Sequence, residues 1–267
     1  MKRSSLKIVC IIVFILSGAC LLIGYLKDYK DDKALKEQQN ALQEEIQMST
    51  ETEAAVEELS EPVMLPEYES LRSQNEDFAG WLRIEGTVID YPVMQCLEDE
   101  NYYLTRDFYK EDNSNGCLIL DNDSNPGVGT AKQEYANGSK PSTNLIIHGH
   151  TMKSGQMFGN LKLYAEEDYG LSHNIICFDS LYEKREYELI AVFYSQVYYK
   201  SDQVFKYYKF FQADTQEEFD DWYNNIKSMS LYDTGVTAEL GDEFITLSCC
   251  AYHVEDGRFV VVGKRIH

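Results

Sequence analysis

Basic residues are scarce in this chain: 24 Lys and Arg stand against 45 Asp and Glu, a net charge of −21 over 267 residues. A surplus of acid on that scale argues against nucleic acid as a partner. Proline is also thin, at 5 residues, and the 7 cysteines are scattered with no regular spacing, which excludes a collagen-like chain, a disulfide-knotted mini-protein and a zinc-finger array. No HExxH motif, internal repeat or low-complexity array occurs. What is present is apolar material for one good-sized core, at 44% hydrophobic with 20 Tyr and 12 Phe.

The one long hydrophobic run lies near the start, where Ile8 to Leu26 holds 19 residues without a charge. That is close to the roughly 20 needed to cross a bilayer as a helix. Lys2, Arg3 and Lys7 precede it, so the positive-inside rule keeps residues 1–7 in the cytoplasm and places the rest outside. We read residues 8–26 as a transmembrane signal anchor. A cleaved signal peptide and a lipoprotein signal ending at Cys20 are the alternatives; Ser17-Gly18-Ala19 lacks the Leu usual three places before a lipoprotein Cys. Residues 27–64 are rich in Glu, Gln, Lys and Asp. Leu35, Leu42 and Ile46 fall at helical spacing, but the pattern lapses after one repeat, so the expectation is a partly helical, solvated acidic stalk.

From residue 65 to 267 the texture becomes that of a folded domain. After a leading helical stretch around Tyr68 and Leu71, strands are predicted over 80–84, 88–93, 116–120, 144–148, 175–178, 186–196, 243–248 and 258–264. The domain reads as mainly β, and eight short strands point to a closed or nearly closed antiparallel β-barrel. A late helix is marked by the capping box Thr215-x-x-Glu218, followed by Phe219, Trp222, Tyr223, Ile226 and Met229 at helical spacing. The long loop 121–142 ends just before the strand carrying His148 and His150.

The strand 243–248 runs into Cys249-Cys250, and Arg258 follows across a predicted turn at Glu255-Asp256-Gly257. A thiol with an ordinary pKa near 8.5 is mostly protonated at neutral pH, and a nearby guanidinium or imidazolium favours the thiolate. His150 ends another strand, beside Gly149. Cys, His and Arg together make an acyl-transfer site: nucleophile, proton donor to the leaving amine, and stabiliser of the oxyanion or holder of the substrate carbonyls. Taken singly, a Cys is as readily a buried hydrophobe and a His a satisfied structural group.

The motifs around these residues are more specific. Thr246-Leu-Ser-Cys-Cys250, followed by the strand from Arg258 to Lys264, resembles the TLxTC motif and downstream Arg strand of sortases. The His150 segment, Gly149-His-Thr-Met152, is similar to their catalytic His segment. The stretches 75–93 and 101–109 resemble the early strands of class B sortases, and the helix before the Cys strand fits that class. The resemblance covers residues 75–264. It implies a sortase-type closed antiparallel barrel of about eight strands with N-terminal helices and a helix inserted before the catalytic Cys strand. It also implies a membrane-anchored cysteine transpeptidase on the outer face of a Gram-positive cell, cleaving a C-terminal sorting signal after Thr. The Thr carbonyl is then held as a thioester and passed to a peptidoglycan cross-bridge amine or a pilin lysine. The signal is left open among NPxTN-like, LPxTG-like and SPxTG-like kinds.

The alignment places the nucleophile at Cys250, with His150 and Arg258 beside it. Cys249 stands where Thr is usual and reads as a packed thiol, since neighbouring strand residues face opposite ways. Tyr252 and Ser248 are candidate substrate-binding residues by nearness to Cys250. His148 is expected to point away from His150, which with the lack of a fourth ligand counts against zinc. No metal and no cofactor is called for, because the thioester keeps the acyl group activated. His150 precedes Cys250 in the chain, the reverse of the papain order. A structural adhesin with these residues idle is the remaining rival. The loop 121–142 or the helix before the Cys strand is expected to wall the groove against water.

Overall fold

The structure, a computed structural model, describes residues 3–50, 62–135 and 138–267, with side chains in the first helix described from residue 20. Among the described residues eight strands form: β1 (Phe78–Arg83), β2 (Asp90–Met94), β3 (Leu118–Leu120), β4 (Asn144–Gly149), β5 (Ile175–Ser180), β6 (Lys184–Gln196), β7 (Phe244–Cys250) and β8 (Gly257–Arg265). They close into a barrel in the order β1-β2-β3-β4-β7-β8-β6-β5. Each predicted strand has its counterpart. The barrel is mixed rather than wholly antiparallel, because β2 pairs with β3 and β4 with β7 in parallel. Parallel neighbours need a long crossover, and the excursions between these strands supply it.

Alternation along the strands fills the barrel interior with Tyr91, Val93, Leu145, Ile147, Phe178, Leu189, Ile245, Leu247 and Val261, among others. The outward residues of β6, β7 and β8 are covered in turn by α4 (Gln216–Met229). Both halves of its capping box are made. Its Trp222 stacks on Phe210, ring centroids 4.4 Å apart, and meets Phe244 of β7 at 4.7 Å. Burial of one such aromatic contributes about 1.5–3 kcal/mol, enough to hold the helix on the sheet. The short α3 (Glu167–Ser172) has no counterpart in the sequence reading, since six residues are too few to show a periodicity.

The N-terminal region departs from expectation. α1 runs Arg3–Thr50 and α2 Pro66–Gln74. Apart from residues 62–64, the described part of the expected stalk is the second half of α1, and it lies against the barrel rather than in solvent. Leu35 and Leu42 are buried, Gln39 donates to the Asp90 carbonyl at 2.8 Å, and Gln43 donates to the Asp90 carboxylate at 2.7 Å. The apolar stripe at 35, 42 and 46 is too short for a coiled coil yet long enough to dock one helix on an existing surface. The anchor expected over 8–26 lies largely outside the residues whose side chains are described. Among the described residues, no helix is long and apolar enough to cross a membrane.

Thr215→Ala removes the side-chain cap of α4 and should lower the unfolding free energy by about 1 kcal/mol in a urea titration, with the barrel intact by circular dichroism.

Candidate active site

The site is built by strand register. In the parallel pair, Gly149 lies beside Cys249, so the next residues, His150 and Cys250, leave their strands side by side. In the β7–β8 hairpin, Cys250 lies opposite Arg258. Matching positions on adjacent strands share a face with Cβ atoms about 5 Å apart, so Cys250 and Arg258 face the same way, with His150 one residue beyond the paired end of β4; His150 and Arg258 are not among the residues lining the cleft onto which Cys250 opens. Ile245, Leu247, Cys249 and Phe259 point into the interior core, which fixes the opposite sense for Cys250 and Arg258.

Local chemistry holds each residue there. At Gly149 a Cβ would stand 2.5 Å from the Phe158 ring and 2.6 Å from a Leu118 methyl, so only glycine lets the chain after His150 fold back. Phe158 then donates its N–H to the His150 carbonyl at 3.0 Å. Thr151 donates its hydroxyl to the Cys250 carbonyl at 2.6 Å, clamping the ends of β4 and β7 together. His150 meets the Leu104 carbonyl through Nε2 at 2.7 Å. A carbonyl oxygen only accepts, so Nε2 donates and Nδ1 is the ring atom left to exchange a proton. Arg258 donates through Nη1 to the Asp256 and Gly257 carbonyls at 3.2 and 3.0 Å, which ties it to its own turn.

The two adjacent thiols have separate environments. Cys250 is exposed, whereas Cys249 is buried in the barrel core. Burial pushes the Cys249 thiol up to about 11, so it stays protonated at neutral pH.

Cys250 opens onto a cleft of about 720 Å³, together with Tyr252, Tyr194 and Lys162. Tyr252, 87% exposed, stands at its edge. Ser248 does not: it is buried, with its hydroxyl 2.7 Å from that of Tyr207. It shares a face with Cys250, but the chain between β6 and α4 covers it. His148 is a second correction. Residues two apart on a strand point the same way, so it faces outward as His150 does, and its Nε2 lies 3.1 Å from the Asp121 carboxylate. Among the described residues no group of three His, Cys, Asp or Glu side chains could hold a metal ion.

The cleft walls also differ from expectation. Among the described residues neither the 121–142 loop nor α4 lines the cleft. The loop starts at Asp121, beside His148, but folds toward the other end of the barrel, where the Ala131 N–H donates to Glu183 at 2.8 Å. The walls come instead from residues 151–160 and from Asp28 and Asp32 of α1. Sequence reasoning missed these, along with Thr151 and the Leu104 carbonyl. Thr151 could have been found from its place in the His segment; the Leu104 carbonyl, a backbone atom far away in sequence, leaves no signal.

No family model matches the chain. A curated sortase B from Listeria monocytogenes is 30% identical over 203 residues, covering 75% of this chain and 74% of that protein. The Staphylococcus aureus sortase B–substrate complex superposes with a TM-score of 0.71 at 25% identity, covering 89% of this chain and 98% of that one. A sortase B complexed with triglycine gives a TM-score of 0.69 at 26% identity, covering 88% and 98%. Barrel and relatives together define a cysteine transpeptidase. The chain belongs to the sortase B family.

Thr151→Val removes the clamp on the Cys250 carbonyl and should lower kcat/KM roughly tenfold, about 1.4 kcal/mol, while Cys250 still reacts with an alkylating reagent. Because the Cys249 thiol is raised in the folded state, its contribution to stability is fully present below the ordinary thiol range and lost as pH rises from there through about 11. Urea midpoints measured across that interval should fall less steeply in Cys249→Ala.

Proposed function

We propose that this sortase B is held in the membrane by residues 8–26, with the barrel outside the cell, and that Cys250, His150 and Arg258 carry its chemistry. The observation that supports the assignment is the register, which pairs Cys250 of β7 with Arg258 of β8 and ends β4 at Gly149 beside Cys249, one residue before His150. The Cys250 thiolate attacks the carbonyl carbon of the signal's Thr, and Arg258 faces the developing oxyanion. The C–N bond breaks as protonated His150 gives its proton to the leaving amine, and a thioester remains. An acceptor amine then attacks the thioester, His150 takes the proton, and the thiolate leaves.

The sorting signal is read as a peptide of the NPxTN, LPxTG or SPxTG kind. The acceptor is read as a glycine-type cell-wall amine, supported by the relatives solved with a substrate and with triglycine. Intact mass of the full chain in detergent, after incubation with these peptides and triglycine, tests the scheme. Wild type should show an acyl adduct and the amide product. Cys250→Ala should show neither, and His150→Ala should fall by about 10²- to 10⁴-fold. Cys249→Ala should retain both; equal loss at both cysteines would overturn the assignment.

A further inference from the structure

The path of α1 over the barrel has a direction. Asp28 and Asp32 line the Cys250 cleft, and Ser154 donates to Asp32 at 3.4 Å. Ser114 donates to Asp31 at 2.7 Å. Further along, Leu35 and Leu42 are buried, Gln43 bonds to Asp90, and Gln47 reaches the pocket of Lys184 and His267 at the opposite end. The cleft is therefore at the N-terminal side of the docked segment. On the other side of Asp28 the helix is apolar and bare: Leu21, Leu22, Ile23, Tyr25 and Leu26 are each more than half exposed. At 1.5 Å per residue, Leu26 is about 3 Å along the axis from Asp28 and about 9 Å from Asp32.

The barrel rim at this end carries its own exposed apolar side chains. Tyr252 and Val254 stand in the β7–β8 turn, 87% and 44% exposed. Gln196 pairs with Gly257, which brings Val197 and Tyr199, 41% and 82% exposed, alongside that turn. Charges around them are of both signs, Lys153, Lys162, Lys200 and Lys206 against Asp28, Asp32, Asp202, Glu255 and Asp256. A surface attraction to anionic lipid is not what this rim offers; tyrosines and aliphatic side chains suited to the interfacial layer are.

We propose that this rim, Tyr252 and Val254 with Val197 and Tyr199, rests on the outer leaflet of the bilayer, so that the Cys250 cleft opens at the lipid headgroups. The proposal rests on the reading of residues 8–26 as the anchor. The headgroup layer adds about 5–7 Å to each side of the hydrocarbon, comparable to the distance from Leu26 to the cleft-lining aspartates. Rigid continuity of α1 then fixes the barrel's tilt, and the sorting signal is met at the membrane surface.

Tryptophan quenching in the full chain tests this, in zwitterionic phosphatidylcholine liposomes carrying a headgroup nitroxide lipid. Tyr252→Trp and Tyr199→Trp place a probe on the rim. Ile266→Trp, exposed beyond the far end of β8 about 25–30 Å away along the strand, is the control. Both rim probes should lose emission relative to the parent chain with Trp81 and Trp222, and the control should not. If the chain stays with the liposomes after an alkaline carbonate wash but the rim probes are unquenched, or all three are quenched alike, the rim contact is overturned and the anchor stands. If the chain washes off the lipid, the anchor reading falls and the rim contact with it. Quenching at Tyr199→Trp alone suffices should Tyr252→Trp fail to fold.

Discussion

The parallel pairing of β4 with β7 is the constraint on which the rest depends. It aligns six residues of each strand, Asn144 to Gly149 against Phe244 to Cys249, and thereby decides which residues emerge together at the rim. A slip of one position would turn every side chain of β7 to the other face, sending Cys250 into the core and Cys249 to the surface. The register is guarded from within: Thr246 donates to the Asn144 side chain at 2.8 Å, and Asn144 donates to the Phe210 carbonyl at 2.9 Å. Both side chains are buried, so a slipped register would leave polar groups unpaired in a dry interior.

The same alternation separates two chemically identical neighbours. Cys249 takes part in barrel packing, and burial keeps its sulfur protonated; Cys250 faces the cleft. Joining them in a vicinal disulfide would require Cys249 to leave the core and the strand to distort, so the paired arrangement that would tie up the Cys250 thiol is opposed by the fold itself.

Much of this was legible in the chain. Seven of the eight strands carry β-branched residues, β1 being marked instead by its aromatic and apolar Phe78, Trp81 and Leu82, and α4 announces itself through Thr215, Glu218 and its apolar stripe. The Cys, His and Arg segments were visible as motifs. Pairing direction was not, because local patterns report that a strand exists and not which neighbour it meets. The fate of Ser248 was hidden for a similar reason: its cover, Tyr207, comes from a stretch 41 residues away. The His148 expectation failed on simple period-two geometry. In α1 the signal was present at Leu35, Leu42 and Ile46, but a stripe that short gives no hint of which surface receives it.

Order of assembly follows from the strand arrangement. Asn144 and Thr246 are 102 residues apart, and β7 can pair with β4 only after β5, β6 and α4 have been made, with β8 following it. Contacts of such long separation are slow to form and carry the loop-closure entropy of everything between them. During synthesis the histidine is present long before the cysteine, with β4 an open edge in the interval. Of the three neighbouring groups the imidazole is therefore made first, the thiol about a hundred residues later and the guanidinium last, so the patch they share cannot exist in a nascent chain until its last hairpin closes the barrel.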